Sequence, residues 1–167
     1  MNRLGRIALA ALAATAFGGA DAADKAVSPA DFVRRAALSD MFETKTSELA
    51  AIKGDGPARA FAAQMNAAHQ KTSSELGVIV KGHASDLPLP PRLDPADQRR
   101  VDRLEELDGA AFVQQYRSDQ LAAHRKAIAL FEGFVADGRD ARLKEWAAKT
   151  LPKLKQHLSL AETLAAR

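Results

Sequence analysis

Apolar residues recur at spacings of three, four and seven through long stretches of this chain, and proline and glycine interrupt them at only a few places. That pattern, with abundant alanine and few β-branched runs, constrains the fold to packed helices. Ser28-Pro29-Ala30-Asp31 reads as a helix start: Ser28 can cap, Pro29 suits the first helical position, and Asp31 favours the positive end. A first helix is expected over about 29–53. Gly54-Asp55-Gly56-Pro57 ends it and begins a second over about 57–82. Residues from Gly82 to Leu93, with Pro88, Pro90 and Pro91, read as a loop. Asp94-Pro95 opens a short helix over about 95–107, and Asp108-Gly109 a third long one over about 109–136. After the Asp137-Gly138-Arg139-Asp140 turn, a fourth runs over about 140–165. Pro152 falls inside it and predicts a kink near 148–152 rather than an end.

The two tight turns make two antiparallel hairpins. Residues 83–108 between them form a longer connection. A helix of about 25 residues is roughly 38 Å long, a span that such a segment can travel back along. The expected fold is all-α: a ferritin-like four-helix bundle with a long crossover containing a short extra helix.

The N-terminus has a separate character. Arg3 and Arg6 precede a charge-free run from Ile7 to Phe17, and Ala20-Asp21-Ala22 follows the glycines at 18 and 19. A positive start, a short apolar stretch and a small-x-small end are the parts of a secretory signal. The expected division is a signal peptide over 1–22 and a bundle domain over 23–167, exported to the periplasm or beyond. The apolar run is shorter than the roughly 20 residues that a membrane span needs, and no later segment qualifies. Ala23 follows the expected cut where a lipoprotein would have Cys.

The chain contains no cysteine, so the exported domain must hold itself by packing, without thiolate ligands or disulfides. Arg3, Arg6 and Asp21 leave a net +1 on the signal and +2 on the rest. The opposite charges are interspersed, which does not make the basic face that nucleic acid requires. No serine lies in a nucleophile elbow.

Four histidines are the residues best suited to chemistry. His83 falls in the Gly/Pro-rich loop and is expected to be solvated. The other three fall one per long helix, each on an apolar stripe: His69 with Ala62 and Leu76, His124 with Val113, Gln120 and Phe131, His157 with Trp146, Thr150 and Leu164. On the first helix Glu43 shares a stripe with Phe32, Ala36, Ser47 and Ala50, whereas Glu48 lies off it. Counted from the turn at Asp55, Glu43 and His69 differ in height by about 3 Å, and from the second turn His124 and His157 by roughly 6 Å. Buried imidazoles need partners, which Glu43, Gln120, Tyr116 or one another can supply; a metal is the alternative. Glu43, His69, His124 and His157 are therefore the candidate ligands of one zinc, copper, nickel or iron ion, with Gln120 and Tyr116 behind them.

The sequence also resembles a bacterial family of exported, ferritin-like domains of unknown function, often labelled as outer-membrane proteins. The resemblance covers about 29–165. It rests on Phe32-Val33-x-x-Ala36-Ala37, Glu43 and Leu49-Ala50; on Phe61-Ala62-x-x-Met65 and His69; on Leu87-Pro88; and on Gly109-Ala110-Ala111-Phe112, Tyr116, Gln120 and His124. Its most specific piece is Thr150-Leu151-Pro152-x-Leu154-x-x-His157-Leu158. It implies a four-helix bundle and supplies no activity. Two positions depart from it: Ala68 and Val113 stand where the family often has Asp.

Three functions stay open: a metal-binding domain, a metal-free packing or interaction domain of the cell envelope with a buried His/Glu network, and a redox enzyme. A conventional di-iron oxidase is not expected. Such bundles use Glu-x-x-His motifs, and Asn66, Leu121 and Leu154 stand three residues before the three histidines. Protein partners in the envelope, oligomeric state and substrate are left undetermined by these patterns.

Overall fold

A computed structural model describes residues 26–83 and 87–165. The expected signal lies outside the described residues. Among the described residues, five helices account for the regular structure: α1 Pro29–Lys53, α2 Gly56–Lys81, α3 Pro95–Glu105, α4 Gly109–Asp137 and α5 Ala141–Ala165. The all-α expectation holds, with ends within a residue or two of the sequence-based ranges.

The helix starts follow from local chemistry. The Ser28 hydroxyl accepts from the Asp31 amide at 3.1 Å, and the Asp55 carboxylate from the Ala58 amide at 2.8 Å. Asp94 accepts from the amides of Ala96 and Asp97, both at 2.9 Å, and Asp140 from that of Leu143 at 2.8 Å. Each side chain satisfies an amide that the first helical turn leaves unpaired. α4 starts differently. Asp108 makes no cap bond and instead meets Lys53 at 3.1 Å, while Gly109 takes a φ of +54°, which favours glycine. α5 passes through Pro152 without ending.

Contacts at the helix ends define the connectivity. Lys53, at the end of α1, donates to the carbonyl of Leu107 at 2.9 Å, just before α4. At the opposite end, Arg142 of α5 donates to the carbonyl of Gly82, just after α2, at 2.8 Å. The chain therefore leaves α2 at one end of the bundle and enters α4 at the other, so the connection traverses its length. α1 packs on α2 and α4, and α5 on α4 and α2. α3 lies along the crossover against α1 and α4, burying Val101 and Leu104. Its Arg100 bonds Asp119 at 2.9 Å and sits 4.2 Å from the Phe42 ring centre.

His83 corrects its sequence-based expectation. Its side chain is 13% exposed, and its Nε2 pairs with the Asp140 carboxylate. The crossover begins beside the start of α5, so a loop histidine is drawn out of solvent by a helix-capping acid distant in sequence.

The apolar interior falls into two main clusters. One gathers Phe32, Phe131, Phe134 and Trp146 with Leu76 and Leu154. The other gathers Ala50, Phe61, Met65, Phe112, Tyr116 and Leu164. Each of the four long helices places a candidate ligand between the clusters: Glu43 between Ala36 and Ala50, His69 between Met65 and Leu76, His124 between Tyr116 and Ala127, and His157 between Leu154 and Ala161.

Candidate metal centre

That polar layer is the candidate site. Glu43 is 1% exposed, His124 0% and His69 5%, with His157 half-buried. Each of the three histidines offers a ring nitrogen within 4.8 Å of the others. Glu43 Oε2 lies 3.1 Å from His69 Nε2 and 3.3 Å from His124 Nε2. Neither contact is aligned as a hydrogen bond. Glu43 Oε2, His69 Nε2, His124 Nε2 and His157 Nδ1 are all buried and, among the described residues, without a hydrogen-bond partner.

The opposite side of each group is held. His69 Nδ1–H donates to Asp40 Oδ1 at 2.7 Å, and His124 Nδ1–H to the Gln120 carbonyl at 2.8 Å. Both bonds turn Nε2 toward the site, the arrangement that orients metal-binding imidazoles. Glu43 Oε1 accepts from the Ser39 hydroxyl at 2.9 Å. Asp40 also accepts from Thr72 at 3.0 Å and from Ser73.

Gln120 reaches the site through its main chain; its side-chain amide donates to Thr46 at 2.9 Å. The Tyr116 hydroxyl bonds that of Ser47 at 3.1 Å. Asp40 is the member that sequence reasoning missed. It lies three residues before Glu43, the spacing that places two acids on adjoining positions of a helix face.

Electrostatics follow from this packing. Burial pushes the Glu43 carboxyl up, but His124, His69 and the Ser39 hydroxyl outweigh it and bring the pKa to about 2. Burial pushes His69 down, while the bond to Asp40 and the neighbouring Glu43 raise it to about 10. His157 is lowered to about 4 by burial and by His124 and His69. Burial also raises the Tyr116 phenol. Without a metal, the His69 imidazolium sits between two carboxylates and His157 is neutral at pH 7.

The donor set fits a single borderline divalent ion. Three imidazoles and one carboxylate match zinc, copper, nickel or iron chemistry, and the unpartnered atoms are the ones such an ion would engage. Asp40 and Glu43 together balance its charge.

The family described as "Domain of unknown function (DUF4142)" matches residues 14–164. The chain belongs to this DUF4142 family. No curated protein and no solved structure matches it. DUF4142 membership is thus a statement of kinship without an assigned activity, and the functional reading rests on the polar layer.

Proposed function

We propose that this DUF4142 chain is an exported domain that binds one divalent transition-metal ion through His69, His124, His157 and Glu43. One observation carries the reading: four buried donor atoms converge with no hydrogen-bond partner among the described residues, while the outer nitrogens of His69 and His124 are held by Asp40 and the Gln120 carbonyl. A buried polar atom left unpaired costs about 1–3 kcal/mol, so four in one place favour an occupant. The crossover along the bundle supports a ferritin-like kinship. A metal-free network is the second reading. The pKa of His69, raised to about 10 between Asp40 and Glu43, favours it, because a proton there does part of the cation's work.

Calorimetry on untagged, chelator-treated protein distinguishes the two. Titration with ZnCl2 is expected to give one ion per chain. His69→Ala, His124→Ala and His157→Ala should each weaken binding at least about tenfold. Equal weak binding by all four proteins defeats the metal reading and leaves the network. Export rests on the N-terminal pattern. Sequencing the protein from the envelope fraction should give Ala23 first, and an intact Met1 there refutes it.

A further inference from the structure

A cleft of about 370 Å³ opens onto the histidine layer, lined by α1, α2, α4, α5 and the crossover, with Glu43, His69 and His157 in its wall. Its deeper wall is apolar: Leu76, Ala127, Phe131, Trp146 and Leu154. Protein interiors are close-packed, and space of this size with an apolar wall is typical of small-molecule sites.

The polar groups around it sort by commitment. Asp40 is engaged, accepting from His69, Thr72 and Ser73; Glu43 accepts from Ser39 through Oε1 and turns Oε2 to the histidines. Away from the Glu43 and histidine layer, the unspent groups are donors. Among the described residues, Lys71 and Lys153 line the cleft without an ion pair. Thr150, 2% exposed, and Trp146, 7% exposed, line it too, and neither the hydroxyl nor the indole N–H has a partner. Apolar walls with donors left over call for an apolar body carrying an anionic oxygen head.

We propose that this cleft binds a small apolar monocarboxylic acid, its hydrocarbon body against Phe131, Trp146 and Leu154 and its carboxylate at Lys153 and Lys71. This goes beyond metal binding; because Glu43, His69 and His157 line the same cleft, it is tested on metal-free protein.

Trp146 is the chain's single tryptophan, so its emission reports the cleft directly. Chelator-treated full-length protein titrated with sodium octanoate should show a saturable emission change. 1-Octanol, of equal length and uncharged, should bind at least about tenfold more weakly, as should octanoate to Lys153→Met, because a charge-assisted bond is lost. Ala37→Phe, which narrows the cleft, should abolish the response; Ala127→Leu serves the same purpose if circular dichroism shows the first variant unfolded. No saturable change overturns the proposal. So does octanol binding as tightly as octanoate together with an unaltered Lys153→Met, or an undiminished response in a folded cleft-filling variant. Zinc calorimetry on protein without octanoate tests the metal reading separately, so the two can fail one at a time.

Discussion

Asp40 shows how a residue outside the donor set can govern it. Its carboxylate holds the His69 ring and fixes which nitrogen faces the layer. Asp40→Asn keeps the shape and removes the charge. Zinc affinity should fall about 10–100-fold, as for other outer partners of metal-bound histidines, with calorimetric stoichiometry unchanged. Titration of the same layer sets a pH optimum for the metal-free fold. Asp40, Glu43, His124 and Lys153 are the charged or titratable groups acting on His69 and His157. Glu43, lowered to about 2, contributes stability that is present above 4.5 and lost as pH falls toward 2. His157, lowered to about 4, is protonated first in the unfolded chain, so stability declines as pH falls from 6.5 to 4. His69, raised to about 10, contributes fully below 6.5 and loses that contribution as pH rises toward 10. Denaturant midpoints of chelator-treated protein should therefore peak near pH 6.5 and drop on both sides. A midpoint still rising at pH 9 contradicts the assignment of His69.

Among the elements, the ends of α1 and α4 are built alike. Gly54 and Gly138 follow them, and a Cβ at either position would press on the carbonyl four residues back, at 2.5 Å from Ala50 O and 2.4 Å from Phe134 O. Neither glycine has a positive φ, so close approach is the reason for it. Gly138→Ala should destabilise by about 1–3 kcal/mol in urea unfolding, the range for forcing an extra carbon into packed structure. Gly133, within α4, faces open space. Gly133→Ala should stabilise by roughly 0.5–1 kcal/mol, the ordinary helix preference for alanine. Opposite signs from one chemical change in one helix would separate local contact from propensity. α3 answers a different need: its Arg100, over Phe42 and bonded to Asp119, pins the crossover across α1 and α4.

For the molecule as a whole, the polar layer sits between two apolar clusters that must hold it together without disulfides. Phe32 is fully buried and stacks on Phe134 with ring centres 3.9 Å apart, with Phe131 and Trp146 edge-on at 5.1 and 6.1 Å. Phe32→Ala should cost about 3–5 kcal/mol and alter the Trp146 emission. A bound ion would join all four long helices, so zinc should raise the thermal midpoint. At about one hundred times Kd the gain is roughly 2.7 kcal/mol. Loss of that gain in His124→Ala, with the metal-free midpoint measured alongside, would tie the stabilisation to the layer.

Helix number, turns and caps were legible from the sequence because they depend on neighbours within about four positions. Ser28, Asp55 and Asp94 act where the pattern puts them. Core-facing positions of Glu43, His69, His124 and His157 were legible for the same reason: a helix stripe is a property of spacing. Their convergence was not, because the level of one hairpin against the other depends on the crossover, and a loop containing Pro88, Pro90 and Pro91 has no period from which to read its course. Asp40 and His83 failed to stand out for a related reason. Each acquires its role from a partner on another element, His69 and Asp140 respectively. Local sequence therefore determined the helices and the faces they bury. Which side chains meet, which nitrogen faces the layer and where a cleft remains unfilled were decided only when the two hairpins packed, because those are properties of distances between segments far apart in the chain.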